Sequence, residues 1–431
     1  MKNVGKDIYN LAAELYPICR SITGKGVRET LKIINDKIKI ATDRSLNIVE
    51  VPTGAKVFDW TVPREWEINE AYIENERGEK VIDFKENNLH VLGYSLPIDE
   101  WMPLKQLLKY VYTQKDQADW IPYVTSYYKE RSGFCMSETQ KKSLPEGNYH
   151  AYIDSKLFDG SLTYGEIILE GKSKKEIFFS TYICHPSMAN NECSGPALVT
   201  ELIKYVHQLD NRKYTYRFIF IPETIGSITY LSRNLDVLKK NMIAGFNISC
   251  VGDDRAYSMV ETRKGRSLAD RVLKNILKDR NGKIYSYLKR ASDEKQYNAP
   301  GVDLPVVCFS RTKFHEYPEY HTSADNMELI NPSGFQGAYE VMTEVIDALE
   351  FNNLYAINVL CEPQLGRRGL YPTLSQKGSY EDIRAMRDFI AYADGETDLI
   401  EISNIIQVPI KELITIIKLL RTNNLIQVKD D

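Results

Sequence analysis

Four apolar runs, each followed by a helical pattern or a polar loop, occupy the middle of this chain and restrict the folds open to it. The runs lie at residues 176–184, 216–221, 242–251 and 304–310, and they lack the polar alternation of strands with one solvent-facing side. Amphipathic helical patterns follow the first two runs directly and the other two at a distance. Strands that alternate with helices predict an α/β fold with a mostly parallel sheet and helices on both faces.

The segments on either side of this pattern differ from it. The first 40 residues are helical, residues 48–100 hold short alternating pieces separated by turn signals, and the C-terminal segment gives three short helices and a strand-like end. We therefore predict an α/β domain formed by residues 1–45 and 125–362. An inserted β-rich domain is predicted at 46–124, and a winged-helix domain at 363–431.

Composition restricts the function further. The chain has 431 residues and a formal net charge of −4, and no apolar run is long enough to span a bilayer. Its 7 cysteines include no C-x-x-C pair, and the start shows no signal-peptide pattern, so we expect a cytoplasmic protein without membrane association. Residues 370–431 hold 7 Lys+Arg against 10 Asp+Glu, so the winged helix is not expected to bind nucleic acid.

Side chains that bind metals or move protons follow the ends of these strands. His185 and Glu192 come after the first run, Glu223 after the second, and Tyr320 and His321 after the fourth. Because the carboxyl ends of parallel strands meet at one edge of a sheet, we expect these side chains to converge there. His185, Glu192 and His321 suit a zinc ion. Glu223 is the predicted general base, and Tyr320 a predicted donor to a developing oxyanion.

Each of these side chains also has a structural interpretation. His185 can be an ordinary loop residue, and Glu223 can cap the helix that follows it. Asp253 and Asp254, which follow the third run, are equally well explained as turn residues. Cys193 has no adjacent His–Asn pattern and is better explained by buried packing than as a nucleophile. The convergence expected at one sheet edge is what favours a functional site.

Five segments carry a resemblance to a known family. In chain order they read HPSMANNECSG, IPETIGSITYL, NISCVGDD, SDEKQYNAPGVDLPV and YPEYHTSADNME. They resemble the motifs of co-catalytic zinc aminopeptidases and imply a zinc exopeptidase-like fold. The chain more closely resembles a bacterial group of aminopeptidase-like proteins with an inserted β domain and a C-terminal winged helix. The segment YPICRSITGKGVRETL near the start is also typical of that group, so the likeness covers nearly the whole chain.

The resemblance also implies how the metal site departs from the two-zinc pattern. His185 and His321 match its two histidines, and Glu223 matches its general base. Neutral residues stand where the pattern has its other carboxylates, namely Asn191 for the bridging Asp, Thr224 for a second Glu and Ser249 for a further Asp. Two ions about 3.5–4 Å apart need anionic ligands around them, so one zinc ion is expected, with Glu192 supplying a carboxylate.

The implied function is a zinc-dependent hydrolase of aminopeptidase type that cleaves an amide bond in a small peptide-like substrate. Asp293 and Glu294 are expected to receive the substrate's amino group, and Arg311 to assist Tyr320 at the oxyanion. Two alternatives stay open. One is an amidase or deacylase that acts on an amino-sugar or another non-peptide amide. The other is a non-catalytic binding or regulatory protein with a degenerate metal site. A homo-oligomer is compatible with the sequence.

Overall fold

The computed structural model describes residues 3–127, 129–370 and 383–429. Its helices are α1 Val4–Leu15, α2 Lys25–Thr42, α3 Leu104–Leu107, α4 Glu138–Ser143, α5 Ser194–His207, α6 Ile225–Asn241, α7 Leu268–Lys278, α8 Glu294–Tyr297, α9 Pro332–Phe351, α10 Arg384–Tyr392, α11 Leu399–Ile406 and α12 Ile410–Thr422. Its strands are β1 Asn47–Pro52, β2 Lys56–Val57, β3 Trp60–Thr61, β4 Glu65–Asn75, β5 Lys80–Asp83, β6 Ile98–Pro103, β7 Val111–Tyr112, β8 Phe134–Cys135, β9 Asn148–Phe158, β10 Ser161–Leu169, β11 Glu176–Tyr182, β12 Thr215–Ile221, β13 Met242–Ile248, β14 Ser258–Val260, β15 Lys283–Tyr285, β16 Val306–Ser310, β17 Leu354–Ile357, β18 Asp394–Asp398 and β19 Ile426–Val428.

The central sheet has the strand order β1-β10-β12-β11-β13-β16-β14-β15. Strands β12, β11, β13 and β16 run parallel to one another, whereas β1 and β10 add antiparallel pairs at one edge. At the other side, β14 pairs antiparallel with β16. The four parallel strands coincide with the four apolar runs of the sequence, so the predicted α/β fold with a mostly parallel sheet is confirmed.

Helices cover both faces of this sheet, as predicted. One face packs against α1, α2, α5, α7 and α9 in a large hydrophobic cluster, and the other packs against α6 and Tyr297 of α8. Neighbouring residues of β11 point to opposite faces, since Phe179 belongs to the first cluster and Phe178 to the second. Every residue of β11 and β12 is buried, which explains why these strands show no polar alternation.

Two predicted runs extend past the ends of their strands. β11 ends at Tyr182 and β13 at Ile248, whereas the apolar runs continue to residues 184 and 251. Cys184 and Cys250 prolong the runs because both side chains are buried in loops at the edge of the sheet. Hydrophobicity reports burial rather than backbone conformation, so it does not mark where the chain leaves the sheet.

A second, antiparallel sheet has the order β5-β4-β9-β6 and its own hydrophobic cluster. Strand pairing differs from both predicted bounds of the inserted domain, residues 46 and 124. β1 lies after residue 46 but pairs with β10 in the central sheet, and β9 lies after residue 124 but pairs with β4 and β6. Alternation identifies a strand but not the partner it pairs with, so the sequence did not show these two assignments.

The C-terminal segment forms the predicted winged helix. Helices α10, α11 and α12 accompany a small sheet of order β18-β17-β19. This sheet includes β17, which lies before the predicted boundary at residue 363. Residues 371–382 and 430–431 of the predicted domain, and residues 1–2 of the α/β domain, lie outside the described residues. Across the described ranges, every helix is too short or too polar to cross a bilayer.

The winged helix is docked on the α/β domain. Arg271 of α7 donates two hydrogen bonds to Asp398 at 2.8 and 2.7 Å. Lys411 of α12 lies 3.4 Å from Glu344 of α9, and Lys418 of α12 lies 5.2 Å from the centre of the Phe351 ring. The second helix of a helix-turn-helix reads DNA in many winged helices, and here two of its lysines face α9. Absence of nucleic-acid binding stays a prediction.

Candidate active site

The loops that follow β11, β12 and β13 meet at one edge of the central sheet, as parallel pairing requires. His185 lies in the loop after β11, and Ala189–Cys193 then form a π-helical turn that leads into α5. A Cβ atom at Gly195 would lie 2.3 Å from Thr181 Oγ1 and 2.7 Å from the Ile248 carbonyl oxygen. Only glycine permits this close approach, which holds the π-helical turn against the sheet edge.

His185 is buried, and both of its ring nitrogens face carboxylates. Nδ1 lies 2.9 Å from Glu192 Oε2, and Nε2 lies 3.7 Å from Glu223 Oε2. Burial, and then the nearby positive charge of Arg20, lowers the pKa of His185 to about 3, so the ring is neutral at physiological pH. A neutral imidazole whose Nδ1–H donates to a carboxylate is the usual state of a histidine that binds a metal through Nε2.

Arg20 holds the carboxylate that orients His185. Its Nε lies 3.3 Å from Glu192 Oε1 and donates to the His185 carbonyl oxygen at 3.0 Å. The other guanidinium nitrogens donate to the Leu15 carbonyl oxygen at 2.7 Å and to Cys193 Sγ at 3.3 Å. Burial raises the pKa of Glu192, and the positive charge of Arg20 opposes that rise. Sequence reasoning missed Arg20, whose only signal was its place in the YPICRSITGKG segment.

Glu223 follows β12 directly and faces the same site. Its backbone N–H donates to Cys184 Sγ at 3.2 Å, and the next residue, Thr224, has a left-handed backbone with φ 62°. Burial, and then the negative charge of Asp293, raises the pKa of Glu223 to about 8. Glu223 makes no side-chain cap on α6, and Asp293 instead accepts the Thr224 N–H at 2.8 Å. The interpretation of Glu223 as a helix cap is therefore wrong.

Asp293 and Glu294 lie beside Glu223, and each keeps one oxygen without a hydrogen bond. Asp293 Oδ1 accepts from Thr224 N–H and Ser227 Oγ, and Glu294 Oε1 accepts from the Ala291 N–H at 2.9 Å. Asp293 Oδ2 and Glu294 Oε2 are buried with no partner among the described residues. Burial raises the pKa of both carboxyl groups. Their predicted contact with a substrate amino group stays a prediction.

His321 and Tyr320 complete the site from the loop after β16. The His321 ring centre lies 5.3 Å from that of His185, and Tyr320 stacks on His321 at 3.9 Å. His321 Nε2 is buried without a hydrogen-bond partner among the described residues. Burial, and then His185, lowers the pKa of His321 well below its usual value, so this ring is also neutral. The structure thus brings together His185, Glu223, Tyr320 and His321, which we call the histidine–glutamate site.

Tyr123 is a member of this site that sequence reasoning missed. Its ring centre lies 5.2 Å from that of His185 and 5.1 Å from that of His321. Its N–H donates to the His321 carbonyl oxygen at 3.0 Å, and its hydroxyl lies 2.7 Å from that of Tyr127. The residue belongs to a segment without regular structure and to no chemical motif, so nothing local in the sequence indicated it.

Tyr182 links Asn191 and Ser249, two of the neutral residues that stand where the two-zinc pattern has carboxylates. Its hydroxyl donates to Asn191 Oδ1 at 2.8 Å and also hydrogen-bonds to Ser249 Oγ. The backbone N–H of Asn191 donates to Asp325 Oδ2 at 3.0 Å, so this loop is anchored by a buried carboxylate. Burial raises the pKa of Asp325 to about 7. A neutral hydrogen-bonded set lies where the two-zinc pattern has carboxylates.

Three charged residues that the sequence placed near the site make structural contacts. Asp253 accepts from Asn190 Nδ2 at 3.0 Å and Thr312 Oγ1 at 2.6 Å, and Asp254 accepts from Ser333 Oγ at 3.0 Å. These contacts fit the turn interpretation. The Arg311 guanidinium donates to the carbonyl oxygens of Ala256 at 2.6 Å and Gly334 at 3.0 Å and stacks on Tyr257. Its donors are directed away from the histidine–glutamate site, so the structure offers no support for its oxyanion role.

The donors that a metal ion requires form two sets, which share His185. In the described part of the chain, Cys184, His185 and Glu192 have ligand atoms within 4.8 Å of one another, and all three are buried. The second set is His185 and His321, with Glu223 beside them in the histidine–glutamate site. It is more widely spaced, with 5.3 Å between the two imidazole ring centres and 3.7 Å from His185 Nε2 to Glu223 Oε2, and among the described residues its ligand atoms do not all lie within 4.8 Å of one another. An imidazole nitrogen that is buried without a partner costs about 1–3 kcal/mol unless something binds it, so His321 fits a metal ion.

The fold is that of the peptidase-like class of α/β proteins. The chain belongs to the family described as "Domain of unknown function (DUF4910)", whose model matches residues 9–352. A model described as "winged helix-turn-helix" matches residues 353–428, which includes β17.

Known relatives agree with this assignment. A curated protein of Clostridium acetobutylicum, named "Putative polysaccharide biosynthesis protein with aminopeptidase-like domain", is 45% identical over 93% of this chain and 91% of its own length. The crystal structure of a "putative peptidase" from Clostridium acetobutylicum is 42% identical, covers 99% of this chain and 96% of its own, and has a TM-score of 0.91. The zinc aminopeptidase BSAP of Bacillus subtilis shares the fold, with 13% identity, 79% and 94% coverage and a TM-score of 0.58. The predicted resemblance to zinc aminopeptidases is confirmed.

Proposed function

We propose that this protein is a zinc-dependent hydrolase that cleaves an amide bond in a small peptide-like substrate. The observation that carries the proposal is the meeting of His185, Glu223 and His321 at the carboxyl ends of the parallel strands. Two relatives support it by name, one with an aminopeptidase-like domain and one as a putative peptidase.

His185 and His321 would hold one zinc ion through the ring nitrogens that face the site. Both rings are kept neutral by burial, which is the state that binds a metal. Glu192, a ligand in the sequence prediction, is engaged by His185 and Arg20, so we assign it to orienting His185. When bound, zinc polarises a carbonyl group and lowers the pKa of a water molecule. The neutral set around Tyr182 favours one ion over two.

Glu223 is the proposed general base. Its carboxyl oxygen Oε2 lies 3.7 Å from His185 Nε2, so the group faces the side of the imidazole that would bind the metal. Such a group takes a proton from attacking water and returns it to the leaving amine. Tyr320 is fixed by stacking on His321, and burial raises its pKa, so its hydroxyl stays protonated and can donate to an oxyanion.

The remaining acidic pair suits the positive end of a substrate. Asp293 Oδ2 and Glu294 Oε2 are acceptors without donors, and both carboxyl groups adjoin the base. A protonated amine would supply the missing donors and offset the repulsion among these acids. This favours substrates with a free amino group next to the scissile amide.

Each alternative function has one observation in its favour. The Clostridium acetobutylicum relative is named as a polysaccharide biosynthesis protein, which favours an amide of an amino-sugar as substrate. The hydrogen bonds of Tyr182 with Asn191 and Ser249 favour a non-catalytic binding protein, because they replace the anionic ligands of a dinuclear site.

The test is the metal content of purified protein, measured by elemental mass spectrometry on the wild type, His321→Ala and Cys184→Ala. Cys135→Ala, at a buried cysteine of β8, is the matched control. We expect about one zinc per chain, lost in His321→Ala and retained in Cys184→Ala. Zinc that is retained in His321→Ala and lost in Cys184→Ala would place the ion in the buried Cys184–His185–Glu192 set. A wild type without metal after zinc is added back would contradict the hydrolase and favour the binding protein. A panel of aminoacyl amides and acylated amino-sugars then separates the two enzyme functions.

A further inference from the structure

The outer face of the second sheet carries a row of four aromatic rings, of which Trp101 is exposed and the other three are half-buried. Trp101 of β6 pairs with His150 of β9, and Tyr152 of β9 pairs with Tyr72 of β4. Alternate residues of β4 and β9, such as Ala71 and Ala151, point inward and are buried. The four rings therefore share the opposite face. We call this set the aromatic face.

The rings of the aromatic face are stacked and held in place. Trp101 stacks on His150 with ring centres 5.2 Å apart and planes 12° apart, and Tyr72 stacks on Tyr152 at 4.9 Å and 26°. His150 Nε2 lies 2.7 Å from Asp99 Oδ1, which fixes the imidazole. Trp101 is nevertheless 55% exposed. A ring held in place by such contacts loses little side-chain entropy when a ligand packs on its exposed side.

The charge around the aromatic face is negative. Lys80 and Lys85 neutralise two nearby carboxylates, Asp83 and Glu70, and Lys80 Nζ also lies over the Tyr72 ring, 4.5 Å from its centre. In contrast, no lysine or arginine among the described residues lies within 4.0 Å of a carboxylate oxygen of the other three acids on this face. These three are Glu74, Asp99 and Asp154. Among the described residues, the side chain of Asp99 contacts only His150 in this way, and Asp154 accepts a hydrogen bond from Asn69 Nδ2 at 2.9 Å. The face therefore complements a cation and repels nucleic acid or an anionic membrane.

We propose that the aromatic face binds a glycan built of amino-sugars. The C–H face of a sugar ring packs on the exposed Trp101 ring, while its protonated amine lies against Glu74 and Asp99. A proline-rich peptide fits less well, because such peptides bind aromatic-lined grooves and these rings lie on the outer face of a sheet. The surface is formed by β4, β6 and β9 and contains no residue of the histidine–glutamate site.

The experiment is isothermal titration of the full chain with a β-1,4-linked glucosamine hexamer, with the N-acetylated hexamer as a ring-matched ligand without charge. We expect the glucosamine hexamer to bind more tightly and to weaken as salt is raised. Trp101→Ala should weaken both ligands by about tenfold, and Glu74→Gln should weaken only the charged one. Leu288→Ala, at a residue 83% exposed outside this face, is the control.

Three results would overturn the proposal. The first is that the wild type does not bind the glucosamine hexamer. The second is that Trp101→Ala, with an unchanged melting temperature, binds the hexamer as tightly as the wild type does. The third is that oligolysine or oligoproline binds as tightly as the hexamer and loses this binding in Trp101→Ala. Glu74→Gln keeps the shape of the side chain, so it tests the charge even if Trp101→Ala lowers stability. Binding is measured without turnover, so the result does not depend on the proposed hydrolase activity.

Discussion

Arg20 Nε lies 3.3 Å from Glu192 Oε1, and both side chains are only 1% exposed. This contact joins the loop after α1 to the π-helical turn before α5. Glu192 in turn accepts from His185 Nδ1. Arg20, which is 165 residues from His185 in the sequence, therefore helps to orient the imidazole. The N-terminal segment therefore supports the site through Arg20 and Glu192, although none of its own side chains faces the site.

Replacing Arg20 by Met should destabilise the fold by about 3–5 kcal/mol, because it leaves Glu192 buried without its cation. Chemical unfolding of Arg20→Met, Glu192→Gln and the double variant measures this. We expect the double variant to be more stable than the sum of the single losses by at least about 1 kcal/mol. Additive losses would mean that Arg20 acts through its other hydrogen bonds, such as those to the Leu15 and His185 carbonyl groups, and not through Glu192.

Glu223→Gln should keep the zinc ion and lose the activity. The amide has the shape of the carboxyl group but cannot accept a proton from water, so kcat on a cleavable aminoacyl amide should fall about 10²–10⁴-fold. Metal content and kcat are measured on the same samples, with Glu201→Gln, an acid on α5 that pairs with Lys204, as the control. An unchanged kcat would remove Glu223 from the role of base.

Tyr123 should matter for the site through its ring more than through its hydroxyl. Tyr123→Phe loses one hydrogen bond to Tyr127 and should cost about 1 kcal/mol. Tyr123→Ala removes the ring that contacts both His185 and His321 and should cost about 2 kcal/mol or more. Zinc affinity should fall in the alanine variant only. Equal affinities in both variants, measured by competition with a chelator, would show that the ring does not support the histidines.

Acid should weaken the attachment of the winged helix. Burial alone would raise the pKa of Asp398, but hydrogen bonds from Arg271 and from the Glu401 backbone outweigh it, so the pKa is lowered on folding. The stabilisation is therefore complete above the unfolded pKa of about 3.9 and is lost as the pH falls through the folded value.

Thermal unfolding of the wild type and Asp398→Asn from pH 7 down to pH 3 tests this. At pH 7 the variant should be less stable by about 1 kcal/mol, and the difference should shrink toward pH 3. A difference that stays constant with pH would indicate that the contact is not electrostatic. Asp394→Asn is a suitable comparison, because Asp394 lies at the other end of the same strand and has no basic partner among the described residues.

Local patterns in the sequence determined the parallel core, the winged helix and the positions of His185, Glu223 and His321. Strands buried on both faces must be continuously apolar, and the polar groups that follow them must lie at the carboxyl edge of the sheet. Both relations act over a few residues, so they can be read without knowing which parts of the chain meet.

Tertiary structure alone decided the contacts between distant segments. It placed Arg20, which is 165 residues from His185, against Glu192, and it brought Tyr123 into contact with two histidines of other loops. It also directed Arg311 to backbone carbonyl groups and assigned β1 to the central sheet. Side-chain orientation and strand partnership depend on packing across the whole core, because the same alternation or the same charge is compatible with several neighbours.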